Sequence, residues 1–187
     1  MPEAMVIDPL IATAAAGFLA LLFARAAWHK VSQFLVFTGV MSDYRILPDA
    51  VLVPAAALLI GLETVVAIGL LPEASRPFAA VAGAGLLCIY AVAMVAPLMQ
   101  GRTEISCGCG GPIDQLSWSL VVRNVLLIGL LMALTLLPSG RSMTWTDLVI
   151  VPVAVLAAWL LFEAIEHIVR TAGHIRFLRS SIHSEVH

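Results

Sequence analysis

Charge is what this sequence has least of. Only 12% of its 187 residues are Asp, Glu, Lys or Arg, and Lys30 is its single lysine. A formal net charge of −2 leaves no basic surface able to neutralise a phosphate backbone, which excludes an electrostatic grip on nucleic acid. Three cysteines are too few to staple a small disulfide scaffold. Apolar residues are abundant instead: 61% of the chain is hydrophobic and the mean hydropathy is +1.01. A water-soluble domain of this size cannot hide so much apolar surface, so the chain reads as an integral membrane protein. The same figures exclude disorder and collagen-like architecture.

Five windows reach spanning length, roughly Pro9 to Trp28, Ala50 to Leu71, Phe78 to Met99, Ser117 to Leu137 and Leu148 to Val169. Each is expected to be a helix, because runs such as Ala14-Ala15-Ala16 and Val51-Leu52-Val53 lack the alternation that a barrel strand needs. Breakers fall between them: Pro48, Pro72, Pro77, the glycines from Gly101 to Gly111, and Pro138-Ser139-Gly140. The first eight residues carry acids rather than bases, and no cleavage site follows, so the first span is expected to remain in the mature protein. Val31 to Leu47 is too polar to span and too apolar to be a free linker; it should lie along the interface or fold back on the bundle. Residues 1–172 are read as one transmembrane domain, and 173–187 as a polar tail, a short solvated helix or disordered.

Helix parity places the end of the first span, the connection between the third and fourth, and the end of the fifth on one membrane face. That face collects Arg25, Lys30, Arg45, Arg102, Arg123, Arg170, Arg176 and Arg179, against Arg76 and Arg141 opposite. The positive-inside rule makes it cytoplasmic.

Cys107 and Cys109 sit on this face, separated by Gly108 on a glycine-rich turn before the fourth span. The two thiols can close on each other, and the small ring of a Cys-x-Cys disulfide is strained, which suits exchange better than permanent stapling. The start of the fourth helix, with Arg25, His29, Lys30 and Arg123, could favour the thiolate. Two further readings stay open at this point: inert loop cysteines, or a Cu(I) pair supplemented by His29 or His167. Zinc would need more ligands than the motif supplies. Cys88, among Leu86, Leu87 and Ile89, is expected to pack in the core.

Ionisable groups inside spans are the second signal, since each costs about 2.5–3.5 kcal/mol at the bilayer centre and so demands a partner. Glu63 lies well inside the second span, Arg123 about two turns into the fourth, and Arg25 near the end of the first. Acids of the fifth span, Glu163 and Glu166, arrive at the level where Arg25 and Arg123 need neutralising. Glu63 should sit deeper than Arg123. Trp28, Trp118 and Trp145 fall at helix ends, where indoles anchor to headgroups. Ala79 with Gly83, and Ala80 with Ala84, form a stripe for close helix packing.

In order along the chain stand Ala27-Trp28-His29-Lys30, Asp43-Tyr44-Arg45-Ile46-Leu47-Pro48, Glu63, Cys107-Gly108-Cys109-Gly110-Gly111, and Leu116-Ser117-Trp118 leading to Arg123-Asn124. This series resembles the MauE family of methylamine utilization proteins, within the DoxX-like membrane superfamily. The resemblance implies an all-α polytopic bundle, four core helices plus a fifth, in a bacterial inner membrane. It implies a role in maturing methylamine dehydrogenase, whose disulfide-rich small subunit carries tryptophan tryptophylquinone, alongside a thioredoxin-like MauD-type partner. Cys107 and Cys109 would then be the exchanging pair, with Arg25, His29, Lys30, Glu63, Arg123 and Asn124 in support. No metal and no resident cofactor are expected, although a quinone-linked dithiol oxidase and a non-catalytic scaffold are alternatives.

Overall fold

The computed structural model describes residues 8–44, 48–99, 117–136 and 144–185. Among these, every regular element is a helix: α1 (Pro9–Ser32), α2 (Phe34–Asp43), α3 (Asp49–Gly69), α4 (Arg76–Met99), α5 (Trp118–Leu136) and α6 (Trp145–Glu185). Five of the six, all but α2, are long and apolar enough to cross a bilayer. The chain is a polytopic helical membrane protein.

Helix ends follow from local chemistry. Asp8 caps α1 by accepting from the Leu10 amide at 2.9 Å, with Pro9 in the first turn where its missing N–H is harmless. Pro48 precedes α3, and Asp49 places a carboxylate on its positive end. The turn after α3 is closed by side chains that satisfy carbonyls the helix leaves open: Ser75 Oγ donates to Gly69 O at 2.8 Å, and Arg76 Nε and Nη2 donate to Leu70 O and Leu71 O, both at 3.3 Å. At α6, the Thr144 amide and hydroxyl both donate to Asp147 Oδ2, at 2.8 and 2.9 Å, the back-bonding half of a capping box.

Gln33 interrupts the first helix, which runs a turn past Trp28, so Lys30 lies inside α1 rather than after it. The following stretch folds back as α2, which packs on α3 and α1 and buries Phe37 and Val40. The polar segment after Arg170 is helical to Glu185 and continues α6 without a break.

Successive neighbours α1–α3–α4–α5, closed by α5 against α1, form a four-helix ring, and α6 lies outside it along α1. Glycine sets the closeness of the ring. A Cβ on Gly83 of α4 would stand 3.0 Å from Val66 of α3 and 3.1 Å from Phe23 of α1, and one on Gly69 would stand 3.0 Å from Ala79. The small-residue stripe of α4 therefore does face its neighbours. Phe18, Leu19, Phe23, Val66, Leu70, Leu87 and Leu131 fill the space between. Side chains such as Leu35, Phe78, Leu126 and Val149 point outward, as lipid-facing residues must. Cys88 belongs to this outward set rather than to the core: Leu86 and Leu87 take the inward positions of that turn, leaving the thiol exposed.

The direction of α6 is set by two contacts with a common residue offset. Gly17 lies against Val155, and Arg25 pairs with Glu163, so the two helices run parallel. An edge-on contact of Phe18 with Phe162 at 5.7 Å seals the same seam.

Candidate functional site

Cys107 and Cys109 lie outside the described residues, in the connection that leaves α4 at Met99 and enters α5 at Trp118. Beneath that connection α4 and α5 are held by Met94, Leu98 and Leu120, with Tyr90 and Val121 packed against them. The helices that carry the supporting residues named from sequence are all described.

Lys30 and Glu63 come together. The ammonium donates to Glu63 Oε1 at 2.6 Å, with the two residues only 4% and 1% exposed. The Tyr90 hydroxyl donates to the same oxygen at 2.7 Å. Lys30 Nζ also sits 5.2 Å from the Tyr90 ring centroid and 5.4 Å from that of Phe37, so two aromatic faces share its charge. The chain's one lysine is thus spent inside the bundle. Removing two ions from water costs several kcal/mol each, and only the short charge-assisted bonds make the pairing tolerable.

Arg25 and Arg123 are met by α6, as their depth suggested. Arg25 pairs with Glu163 and stacks 5.1 Å from the Trp159 ring centroid, while Arg123 Nη1 donates to Glu166 Oε2 at 3.2 Å. Glu163 and Glu166 lie three apart on one face of α6, so a single helix supplies both counterions. His29 is half-buried one turn beyond Arg25. Asn124, only 2% exposed, has its amide Nδ2 without a hydrogen-bond partner.

Arg25, Lys30 and Arg123, considered from sequence as one group of bases acting on the thiols, each have a carboxylate in the bundle, taken from α3 in one case and α6 in the others. Sequence reasoning did not single out Tyr90. The signal was available: the chain has two tyrosines, and Tyr90 alone falls inside a span. Among the described residues no group of three or more His, Cys, Asp and Glu side chains could hold a metal ion.

The family model for methylamine utilisation protein MauE matches residues 8–138, which takes in α1 to α5 and the Cys-Gly-Cys connection and stops before α6. Methylamine utilization protein MauE of Paracoccus denitrificans is 39% identical over 144 residues, 75% of this chain and 77% of the relative. The MauE protein of Paracoccus versutus is 37% identical over the same shares of both chains, and that of Methylophilus methylotrophus 40% identical over 107 residues, 57% of this chain and 56% of its own. No solved structure matches the chain. With most of its length inside that model, and with relatives of this closeness, the chain belongs to the MauE family of methylamine utilisation proteins.

Proposed function

We propose that this MauE-family chain serves methylamine utilisation by thiol–disulfide exchange, in the inner membrane of a bacterium, during maturation of methylamine dehydrogenase. Its partner is a thioredoxin-like protein of the MauD type, which carries the exchange to the disulfides of the dehydrogenase small subunit. The observation that carries this reading is the Cys107-Gly108-Cys109 pair, which falls in the sequence between the α4 and α5 segments and inside the family match.

The chemistry balances within the two proteins. A thiolate from Cys107 or Cys109 attacks one sulfur of the partner's disulfide, forming a mixed disulfide and expelling the partner's other sulfur as thiolate. The second cysteine, losing its proton, attacks the mixed disulfide, closes the Cys107–Cys109 bond and releases the partner as a dithiol. Two electrons pass to the partner, and the reverse sequence returns them. Arg25, Lys30 and Arg123 already face carboxylates, which leaves the positive end of α5, beginning at Trp118, as the feature that would favour a thiolate.

Replacing one cysteine at a time tests the reading. Cys107→Ser or Cys109→Ser should accumulate a mixed disulfide with a thioredoxin-fold protein that reductant releases, and the double variant should fail to assemble active dehydrogenase. Normal assembly with both cysteines replaced would leave only a scaffold.

A further inference from the structure

The bundle takes one side of α6: Val155 lies against Gly17, Phe162 against Phe18, Glu163 on Arg25 and Glu166 on Arg123. The other side carries a strict alternation of three- and four-residue steps. Ala157, Leu161, Ala164, Ile168 and Thr171 follow one another in this way and every one is exposed, Leu161 at 63% and Ile168 at 66%. The same steps continue through Ile175, Leu178 and Ile182, on a helix that runs unbroken to Glu185. This is the a/d pattern of a heptad, with Leu161, Ile168, Ile175 and Ile182 at a, and Ala157, Ala164, Thr171 and Leu178 at d. The row holds no charged residue from Ala157 to Ile182, over about 38 Å of helix.

Within the span, lipid alone can cover such a row. The span ends at Val169, and the sequence then turns polar with Arg170, His174, Arg176 and Arg179. Ile175, Leu178 and Ile182 nevertheless keep the register. By that register Arg170 and Arg176 fall away from the row, and Arg179 borders it. On a helix that has left the hydrocarbon, large apolar residues repeating at a and d are driven to bury themselves against another apolar surface. Two features select a second α6 as that surface. Ile at a with Leu at d is the composition that favours two parallel strands, and Ala157 and Ala164 at d let two backbones approach closely inside the membrane. Copies of one chain insert with one orientation, so a neighbouring α6 runs in the same direction and offers the same row at the same depth. Parallel pairing then joins a to a and d to d about a two-fold axis.

We propose that α6 is a dimerisation element, and that its row from Ala157 to Ile182 pairs with the same row of a second copy as a parallel two-stranded coil. This goes beyond thiol exchange and uses neither Cys107 nor Cys109. The pairing surface is separate from the side of α6 that docks on the bundle, so the dimer forms with the Arg25–Glu163 and Arg123–Glu166 pairs in place. The helix thereby has two tasks on two faces: counterions and aromatic packing toward its own bundle, and a self-complementary apolar seam toward its twin.

Oxidative cross-linking of the full chain in native membranes tests this, in a Cys88→Ala, Cys107→Ser, Cys109→Ser background. A disulfide needs Cα atoms within about 7 Å, which pairing of a with a provides and the far side of a helix about 10 Å across does not. Ile168→Cys, Ile175→Cys and Ile182→Cys should therefore give a covalent dimer in several-fold higher yield than Gly173→Cys and Ser180→Cys, which fall at the outward f positions. In mild detergent the unsubstituted protein should have the mass of two 19.9 kDa chains. Ile175→Asp with Ile182→Asp should halve that mass without loss of the bundle's cooperative thermal unfolding, since both sites lie beyond the span. A cross-linking yield indifferent to heptad position, cysteines of the row joined to a different protein, or an unsubstituted protein with the mass of one chain overturns the proposal. Because the background lacks Cys107 and Cys109, the result stands apart from that of the exchange experiment.

Discussion

Arg25 of α1 and Glu163 of α6 are ion-paired, although the family match ends at residue 138, before α6 begins. The sixth helix thus supplies a counterion to a base in the matched part of the chain, and through Glu166 it does so a second time for Arg123. A helix added outside the ring is held by both charge and shape, with Val155 seated against Gly17.

The two α6 pairs should differ in strength. Arg25 and Glu163 side chains are 42% and 33% exposed, against 22% and 16% for Arg123 and Glu166. Exposed pairs contribute about 0.2–1 kcal/mol, and less screening raises that figure. Double-mutant cycles by thermal unfolding in detergent should give the larger coupling energy for Arg123→Ala with Glu166→Ala. Equal couplings would show that solvent screening does not rank them.

Loss of one partner from the Lys30–Glu63 pair should be costly, because the other charge stays buried. Lys30→Met is expected to destabilise the protein by about 3–5 kcal/mol. Adding Glu63→Gln removes the stranded charge and retains an acceptor for Tyr90, so the double variant should recover at least half of the lost stability. Equilibrium unfolding of the unsubstituted protein, both single variants and the double variant decides it, and additive losses would mean the pair is not coupled.

Two glycines of α4 give a matched comparison. A Cβ at Gly83 would press on Val66 and Phe23, both buried, whereas one at Gly85 would meet nothing within 4 Å. Gly83→Ala should cost about 1–3 kcal/mol by overpacking, and Gly85→Ala should be neutral or stabilising by up to about 1 kcal/mol from helix propensity. Thermal midpoints in the same detergent report the contrast directly.

Cys88 faces outward from α4, so Cys88→Ala should leave folding and mixed-disulfide trapping unchanged. In that background a membrane-impermeant maleimide reports on Cys107 and Cys109 alone. Exchange with a periplasmic MauD-type partner requires labelling of intact cells without lysis, against the bias of Arg45, Arg102, Arg170, Arg176 and Arg179. Labelling that appears only after lysis places the pair in the cytoplasm and rules out direct exchange with such a partner.

Much of the fold was legible because it depends on quantities counted along the chain. Hydropathy over some twenty residues marks a span wherever it occurs, and Pro48, Pro72 and Pro77 punctuate the helices for reasons local to their rings. Parity alone brought Glu163 and Glu166 to the depth of Arg25 and Arg123. Sequence alone does not pair Lys30 with Glu63, because a first span ending at Trp28 leaves Lys30 beyond it, and only the continuation of α1 to Ser32 carries the ammonium inside. Cys88 was misplaced for another reason: its helix is apolar on all sides, so no periodic signal tells the face toward Leu87 from the face toward lipid.

Composition and span order therefore determined by themselves that the chain is a polytopic membrane protein, with five helices among the described residues long and apolar enough to cross a bilayer, and which residues share each end of the bundle. Only the tertiary structure decided which carboxylate meets which base, that Tyr90 joins Glu63, and that one oxygen of that carboxyl is left without a donor. Depth in a bilayer is a one-dimensional count, readable from sequence. Partnership depends on how each helix is rotated about its axis, and here that is set by contacts such as Gly83 against Val66 and Phe23, between residues far apart in the chain.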